Sequence, residues 1–183
     1  MTGVSDIELV KMAASGDREA FGLFAERHYG LIYRTAFKWS GVKADAEDIT
    51  QESLMKLARS IDTFRSESDV KTWLYRVTVN AAKDFHRRNS VKRKYEEAYV
   101  SESLGASAAD EGIPERSEEK DALMAAIGRL SDKLKDALLL VVSEGLSHAE
   151  AAKVLGCAVT TVAWRVFEAK RRLSEMLEKG AGA

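Results

Sequence analysis

Residues 93–117 limit what this chain can fold into. This stretch holds the only proline, Pro114, together with serine, glycine, alanine and acidic residues. Because it contains few large apolar side chains, it cannot bury enough apolar surface to form a core of its own. We therefore predict a flexible acidic linker at 93–117, which separates a first domain at 1–92 from a second domain at 118–183.

Apolar residues on both sides of this stretch recur with the period of a helix. A stripe at steps of three and four runs from Val70 to Phe85, and no convincing alternating strand is present. Ser5–Glu8 and Ser147–Glu150 have the spacing of capping boxes, which begin helices. The fold class we predict is all-α, with two small helical bundles of which the second is a helix-turn-helix domain.

Turn residues and caps place the helix boundaries. After a break at Gly16 and Asp17, we expect separate helices around Phe21 and from Leu31 to Trp39, the latter ended by Gly41. Further helices are predicted from Asp45 to about Ile61 and from about Val70 to Arg88. The inward residues of the first of these are expected to be Leu54, Leu57, Ala58 and Ile61. In the second domain we expect a core stripe of Leu123, Ile127 and Leu130, helix N-caps at Ser131 and Thr160, and inward positions at Val142 and Leu177.

Composition excludes several classes of protein. The single cysteine, Cys157, rules out an internal disulfide and fits a reducing compartment. No secretory signal and no apolar run of about 20 residues is visible, so we expect a cytoplasmic protein. The three histidines lack metal-ligand spacing, and neither a phosphate-binding glycine loop nor a nucleophile elbow occurs. We therefore expect no metal, no cofactor and no enzymatic activity.

The net charge of −1 argues against a nucleic-acid-binding protein, but the charges are separated along the chain. Basic residues cluster between Lys83 and Lys94, acidic residues follow, and a second basic cluster lies between Arg165 and Arg172. Since binding responds to the local field, both basic clusters are candidate nucleic-acid contacts.

The last two predicted helices have the pattern of a helix-turn-helix. Ala152 lets the helices approach each other, Gly156 makes the turn, and Val162 packs beneath the second helix. Such a helix enters the major groove and presents its early residues to base edges. The alternative is a plain three-helix bundle with a charged, solvated face.

Two other helix faces are candidate interaction surfaces. Trp73, Arg76, Asn80, Lys83 and Arg87 align on one face, where cations, an amide and a ring suit single-stranded nucleic acid. The alternative is that Trp73 belongs to the core and the rest is ordinary surface. An acidic face formed by Asp45, Asp48, Gln51 and Glu52 is either a protein-docking surface or a solvated helix face.

Four runs resemble the extracytoplasmic-function (ECF) sigma factors of the sigma-70 family. Gly16–Phe21 resembles their opening segment, Asp45–Glu52 their polymerase-binding helix, Thr72–Asp84 their promoter-melting helix and Gly145–Arg172 their helix-turn-helix. The runs follow the order of the family and cover nearly all of the chain except 93–117. The resemblance implies a promoter-directing transcription initiation factor, used in stress responses, with a region 2-like first domain and a region 4-like second domain.

The resemblance also implies partners and roles. The partners are core RNA polymerase, through the clamp helices of the largest subunit and the flap of the second largest, promoter DNA, and an anti-sigma factor. The polymerase-binding residues would be Asp45, Asp48, Gln51 and Glu52. The minus-ten residues would be Phe64, Arg65, Arg76, Asn80, Lys83, Arg87 and Arg88. The minus-35 residues would be Thr160, Thr161, Trp164, Arg165, Phe167, Lys170, Arg171 and Arg172.

The recognition helix departs from the family pattern. Ala163 and Glu168 stand where the family usually has basic residues, and Trp164 stands where it has a small hydroxyl. Ala158 replaces the usual proline of the turn. We expect weaker phosphate contacts and a flatter salt dependence of binding. For Trp164, stacking on a sugar, contact with a thymine methyl and binding of a partner all stay open.

Three other functions are compatible with parts of the sequence. A sigma-like decoy would bind an anti-sigma factor without directing transcription, and it would not need Lys83, Arg87 and Arg88. An ordinary helix-turn-helix regulator would need no polymerase-docking helix and would usually dimerise on a palindrome. An enzyme acting on nucleic acid would need a metal site or a cluster of catalytic carboxylates.

Overall fold

The computed structural model describes residues 3–64, 69–99 and 118–181, and it divides the chain into two compact units. The prediction of an all-α fold is confirmed, because these residues contain helices and turns and no strand. The first unit holds α1 (Asp6–Ala14), α2 (Arg18–Ser40), α3 (Lys43–Ser60), a 3-10 turn (Ile61–Thr63) and α4 (Val70–Tyr99). The second unit holds α5 (Glu118–Gly128), α6 (Asp132–Leu138), a π-turn (Leu139–Ser143), α7 (His148–Leu155) and α8 (Val159–Ala181).

Local signals start α1 and α2 as predicted. The Ser5 side chain accepts from the Glu8 backbone, and the Glu8 carboxylate accepts from the Ser5 N–H at 2.8 Å, which completes the capping box. Gly16 then takes a φ of 99°, where a side chain would be strained. The Asp17 carboxylate caps α2 by accepting from two backbone N–H groups at 3.0 Å.

The prediction of two helices between Asp17 and Gly41 is wrong, because α2 is continuous. Its buried residues follow one another at helical steps from Ala20 through Phe24 and Ile32 to Trp39, so no position interrupts the stripe. Gly41 ends α2 in the left-handed conformation, as expected.

Two boundaries on α3 and α4 also differ from prediction. α3 begins at Lys43, before Asp45, and Ala58 is exposed instead of inward. α4 runs past Arg88 to Tyr99 and so enters the predicted linker. The lysine, arginine and glutamate residues of this extension have high intrinsic helix propensity, so the helix can continue beyond Arg88. Of the rest of the predicted linker, residues 100–117 lie outside the described ranges.

The core of the first unit joins all four of its helices. Phe24, Leu57 and Leu74 are fully buried on α2, α3 and α4. Trp73 belongs to this core, with its ring centroid 6.4 Å from Phe24 and 5.0 Å from Phe64. The interpretation that places Trp73 in the core is thereby confirmed, and its ring is not an exposed stacking surface.

The second unit packs α5, α6 and α8 around a separate core. Leu130, Leu134 and Leu138 pack there against Ala169 and Leu173 of α8. Val142, which we expected to face inward, is 55% exposed. The π-turn explains this difference, because its wider hydrogen-bonding ring shifts the residues after Leu138 around the helix axis. Leu123 and Leu177 are exposed as well.

The predicted N-caps of the second unit are correct only in part. Ser147 and Glu150 form the capping box of α7, as expected. Ser131 precedes α6 with an extended backbone, but its side chain makes no capping hydrogen bond. Thr160 is not a cap, because α8 begins at Val159 and the backbone N–H groups of Thr161 and Val162 bond to the carbonyl of Ala158.

Across the described ranges, no helix is both long enough and apolar enough to cross a membrane.

Replacing Leu57 with alanine is expected to destabilise the first unit by about 2–5 kcal/mol, because a fully buried side chain leaves a cavity between its helices. Met55→Ala on the same helix is the matched control, since Met55 is half exposed. Urea unfolding of the full chain, followed by circular dichroism, measures both free energies. Equal losses for the two variants would contradict the packing described here.

Candidate nucleic-acid interface

The outer face of α4 carries the residues predicted to hold single-stranded DNA. Arg76, Asn80 and Arg87 are exposed on it and Lys83 is half-buried. On the inner side Leu74, Val79 and Ala82 are buried and fix the rotation of the helix. From residue 76 to residue 87 the face is about 16 Å long, at the helical rise per residue. An amide and three cations, one of which is half-buried, thus lie in one row on this side of α4.

The segment before α4 is only partly described. Phe64 follows the 3-10 turn and is half-buried against the Trp73 ring. Its position therefore combines a packing role with partial access from solvent. Arg65, the other predicted minus-ten residue of this loop, lies outside the described residues.

The acidic face lies on α3 opposite its buried stripe. Ala46, Ile49, Ser53 and Leu57 are buried, which turns the acidic side outward. On that side Asp48 and Gln51 are exposed, whereas Asp45 and Glu52 are half-buried.

Ion pairs connect the acidic face of α3 to the basic face of α4. Arg88 donates to both carboxylate oxygens of Glu52, one of them at 3.3 Å, and these hydrogen bonds lower the pKa of Glu52. Lys56 bridges Glu52 at 3.0 Å and Asp84 at 2.8 Å, and Asp84 also pairs with Arg87 at 3.1 Å.

Sequence reasoning missed the bridging roles of Lys56 and Asp84. The spacing of Glu52 and Lys56 by four residues is a readable helical ion-pair signal. Contacts between α3 and α4 join residues far apart in sequence, so no local pattern could reveal them.

The helix-turn-helix of the second unit is built as its sequence predicted. Gly156 ends α7 with a φ of 63°, a left-handed conformation that suits glycine. Ala152 on α7 and Val162 on α8 are buried where the two helices pack. Arg165 donates to the sulfur of Cys157 at 3.7 Å, which ties the recognition helix to the turn.

The outward face of α8 carries the predicted minus-35 residues. Trp164 is 61% exposed and Phe167 is 67% exposed. Thr161 and Arg165 are half-buried, nearer to the core. The other exposed residues of the predicted set are Thr160, Lys170, Arg171 and Arg172.

Glu168 binds two of these cations. Its carboxylate accepts from Arg171 Nε and Nη2 at 2.9 Å and from Arg172 Nε at 2.7 Å. The hydrogen bonds from Arg171 and then from Arg172 lower the pKa of Glu168 to about 2. Arg171 also pairs with Glu175. The carboxylate therefore stays charged at neutral and mildly acidic pH, and the ion pairs are lost only as the pH falls towards 2.

Within the described ranges, no group of three or more histidine, cysteine or acidic side chains is arranged to hold a metal ion.

Two family patterns match the chain, one in each unit. Sigma-70 region 2 matches residues 24–91, which include α3 and most of α4. Sigma-70, region 4 matches residues 120–173, which include the helix-turn-helix.

Full-length relatives are similar over nearly the whole chain. The ECF RNA polymerase sigma-E factor of Haemophilus influenzae is 31% identical, with 96% of each chain covered. The RNA polymerase sigma-H factor of Pseudomonas aeruginosa is 30% identical, with 97% of this chain and 96% of that protein covered.

Two solved structures are also similar to this chain over most of its length. The sigma factor RpoE of Bartonella quintana, solved with the anti-sigma factor NepR, has a TM-score of 0.68 at 27% identity, covering 87% of this chain and 98% of that one. CnrH in complex with the cytosolic domain of CnrY has a TM-score of 0.66 at 26% identity, covering 95% and 97%.

Arg171→Gln is expected to raise the pKa of Glu168 from about 2 towards the ordinary range, because it removes the hydrogen bonds that stabilise the carboxylate most. The measurement is a pH titration of the Glu168 side-chain carboxyl by carbon-13 NMR. Lys170→Gln removes one positive charge two residues along the chain from Glu168 and leaves the bonds from Arg171 and Arg172 in place, so it should shift the pKa of Glu168 far less. An equal shift in both variants would mean that net charge, and not hydrogen bonding, controls the group.

Proposed function

This chain belongs to the ECF RNA polymerase sigma factors of the sigma-70 family, and from that premise we propose how its surfaces serve promoter recognition. Its function is to bind core RNA polymerase and direct it to specific promoters. We assign the roles from one observation, which is the set of surfaces that the two units carry. An acidic helix face adjoins a basic helix face in the first unit, and the second unit is a helix-turn-helix.

The acidic face of α3 is the proposed docking site for the clamp helices of the largest polymerase subunit. Asp48 and Gln51 are exposed and can reach a partner directly. Asp45 is half-buried beside them. Glu52 already binds Arg88 and Lys56, so its docking would require an exchange of cations. Opposite charges at such an interface favour encounter and fix its register.

The outer face of α4 is the proposed site for the opened minus-ten strand. Arg76, Lys83 and Arg87 would hold phosphates, and Asn80 would read a base edge, together with Arg65 and Phe64 from the loop. Because Trp73 is buried, stacking of a base on this face depends on other groups. Arg88 would join the site when it leaves Glu52.

The second unit is the proposed reader of the minus-35 duplex and contacts the flap of the second largest subunit. Its recognition helix α8 presents Thr160, Trp164 and Phe167 towards the groove, with Thr161, Arg165 and Lys170 beside them. Arg171 and Arg172 would meet the backbone, although Glu168 compensates part of their charge.

Other partners and the cellular setting follow from the same premise. We propose that the chain makes no chemical bonds itself, because phosphoryl transfer belongs to the core enzyme. It would act in the cytoplasm, where core polymerase acts. An anti-sigma factor is the proposed inhibitor, since two similar proteins were solved with such a partner or a cytosolic protein domain bound.

Asp48→Arg is expected to weaken binding to core polymerase at least tenfold, because it places a cation where the docking surface needs an anion. Glu47→Arg is the matched control, since Glu47 is an exposed acid on another side of α3. Fluorescence anisotropy with labelled full-length protein and core polymerase measures both affinities. Equal effects of the two charge reversals would contradict docking through this face.

Asn80→Ala is expected to leave core binding intact and to reduce open complexes about tenfold, because an amide that reads a base edge is lost. The measurement is permanganate footprinting of the minus-ten element with the reconstituted holoenzyme. Ser90→Ala, another exposed polar change on α4, is the control. Normal melting by the Asn80 variant would remove this residue from the proposed site.

A further inference from the structure

An aromatic stripe runs along the outward face of the recognition helix. Thr160, Trp164, Phe167 and Arg171 follow at steps of four, three and four, so they lie in one row on α8. Among the large apolar side chains that the structure describes, Trp164 and Phe167 are the two most exposed. These two side chains do not pack in the core of this unit, because the buried residues of α8, Val162, Val166 and Ala169, lie on the other side of the helix. Only a binding partner could bury them.

Two of the cations on this side of α8, Arg171 and Arg172, are compensated by acidic residues of the same helix. Glu168 binds Arg171 and Arg172 through short hydrogen bonds, and Glu175 binds Arg171 as well. A helix with these pairs attracts phosphates less strongly than the same helix with all of its cations available.

The position of the stripe favours duplex DNA as its occupant. Residues 160–167 follow the turn of the helix-turn-helix directly, and in such motifs the N-terminal part of the second helix meets the base edges. Arg165 and Lys170 flank the aromatic pair on its two sides, which suits a groove bounded by two phosphate backbones. Within the major groove the apolar group of the bases is the C5 methyl of thymine.

We propose that Trp164 and Phe167 determine specificity at the minus-35 element by packing against thymine methyl groups. This inference rests on the proposed minus-35 role of the second unit. Apolar contact with the bases would contribute binding free energy that Arg171 and Arg172 do not supply while they are paired with Glu168. Promoters of this factor therefore carry thymines on one strand where the aromatic pair meets the groove.

The test replaces thymine with uracil, which removes only the methyl group. Core polymerase from the source bacterium and the full chain first select a promoter from a pool of genomic fragments. Each thymine of its minus-35 element is then changed to uracil in turn, and holoenzyme binding is measured by competition. One or two positions are expected to lose about fourfold in affinity per methyl, since a buried methyl contributes about this factor.

Variants assign the effect to the aromatic pair. Trp164→Ala or Phe167→Ala is expected to abolish the preference for thymine over uracil at one of these positions. Val142→Ala removes a similarly exposed apolar side chain of the same unit and should keep the preference. Glu168→Gln is expected to steepen the slope of log affinity against log salt by about one, because it releases Arg172 for a phosphate while Glu175 still binds Arg171.

The outcomes separate the inference from the function on which it rests. Protein-dependent initiation with no sensitivity to uracil at any position would overturn methyl reading and leave the sigma function intact. A thymine preference that survives in both alanine variants would also overturn it, and would point to a protein partner for the exposed aromatic pair. No protein-dependent initiation on any fragment would overturn the proposed function and this inference together.

Discussion

Burial of one apolar stripe on each helix determines where the polar faces of this protein point. On α3 the burial of Ile49 and Leu57 turns Asp48 towards solvent, and on α4 the burial of Leu74 and Val79 does the same for Asn80. The interaction surfaces are thus consequences of core packing. A change that rotated either helix by one residue would move a whole face at once, because neighbouring positions lie about 100° apart around the axis.

The ion pairs between α3 and α4 join two surfaces with different proposed partners. Arg88 faces the opened DNA strand in the proposed role, yet in the free chain it binds Glu52 of the docking face. This pair is partly exposed, with Arg88 at the surface and Glu52 half-buried, so water and salt screen it and an exchange of cations costs little free energy. A cation from polymerase that took Glu52 would release Arg88 for a phosphate. Docking and strand capture would then be coupled through a single carboxylate.

Sequence reasoning could predict the features that depend on neighbouring residues. The capping boxes at Ser5 and Ser147 and the turn glycines at Gly16 and Gly156 are local signals, and all four are confirmed. The continuity of α2 was missed because its inner stripe was divided into two shorter patterns. Val142 was misplaced because a π-turn shifts the helical register, and the sequence pattern gave no sign of that turn.

In the candidate sites, too, features within one helix could be predicted from the sequence and contacts between helices could not. Residue types and spacing on one helix predicted the faces of α3, α4 and α8, whereas the contacts between α3 and α4 depend on tertiary packing. The compensation of Arg171 and Arg172 by Glu168 lies within one helix at steps of three and four, so its spacing could have been read from the sequence. The roles of individual site residues and the limits of the two domains stay predictions.

The internally paired arginines of α8 also bear on how this factor searches a genome. Sequence-independent attraction to DNA comes almost entirely from released counterions, and it sets how long a protein lingers on sites that are not its target. Because Arg171 and Arg172 of the recognition helix bind Glu168 of the same helix, this helix would stay only briefly on such sites. In the proposed role, the factor would bind non-target DNA weakly and dissociate from it quickly. This property favours a regulator that must find few promoters among many competing sequences.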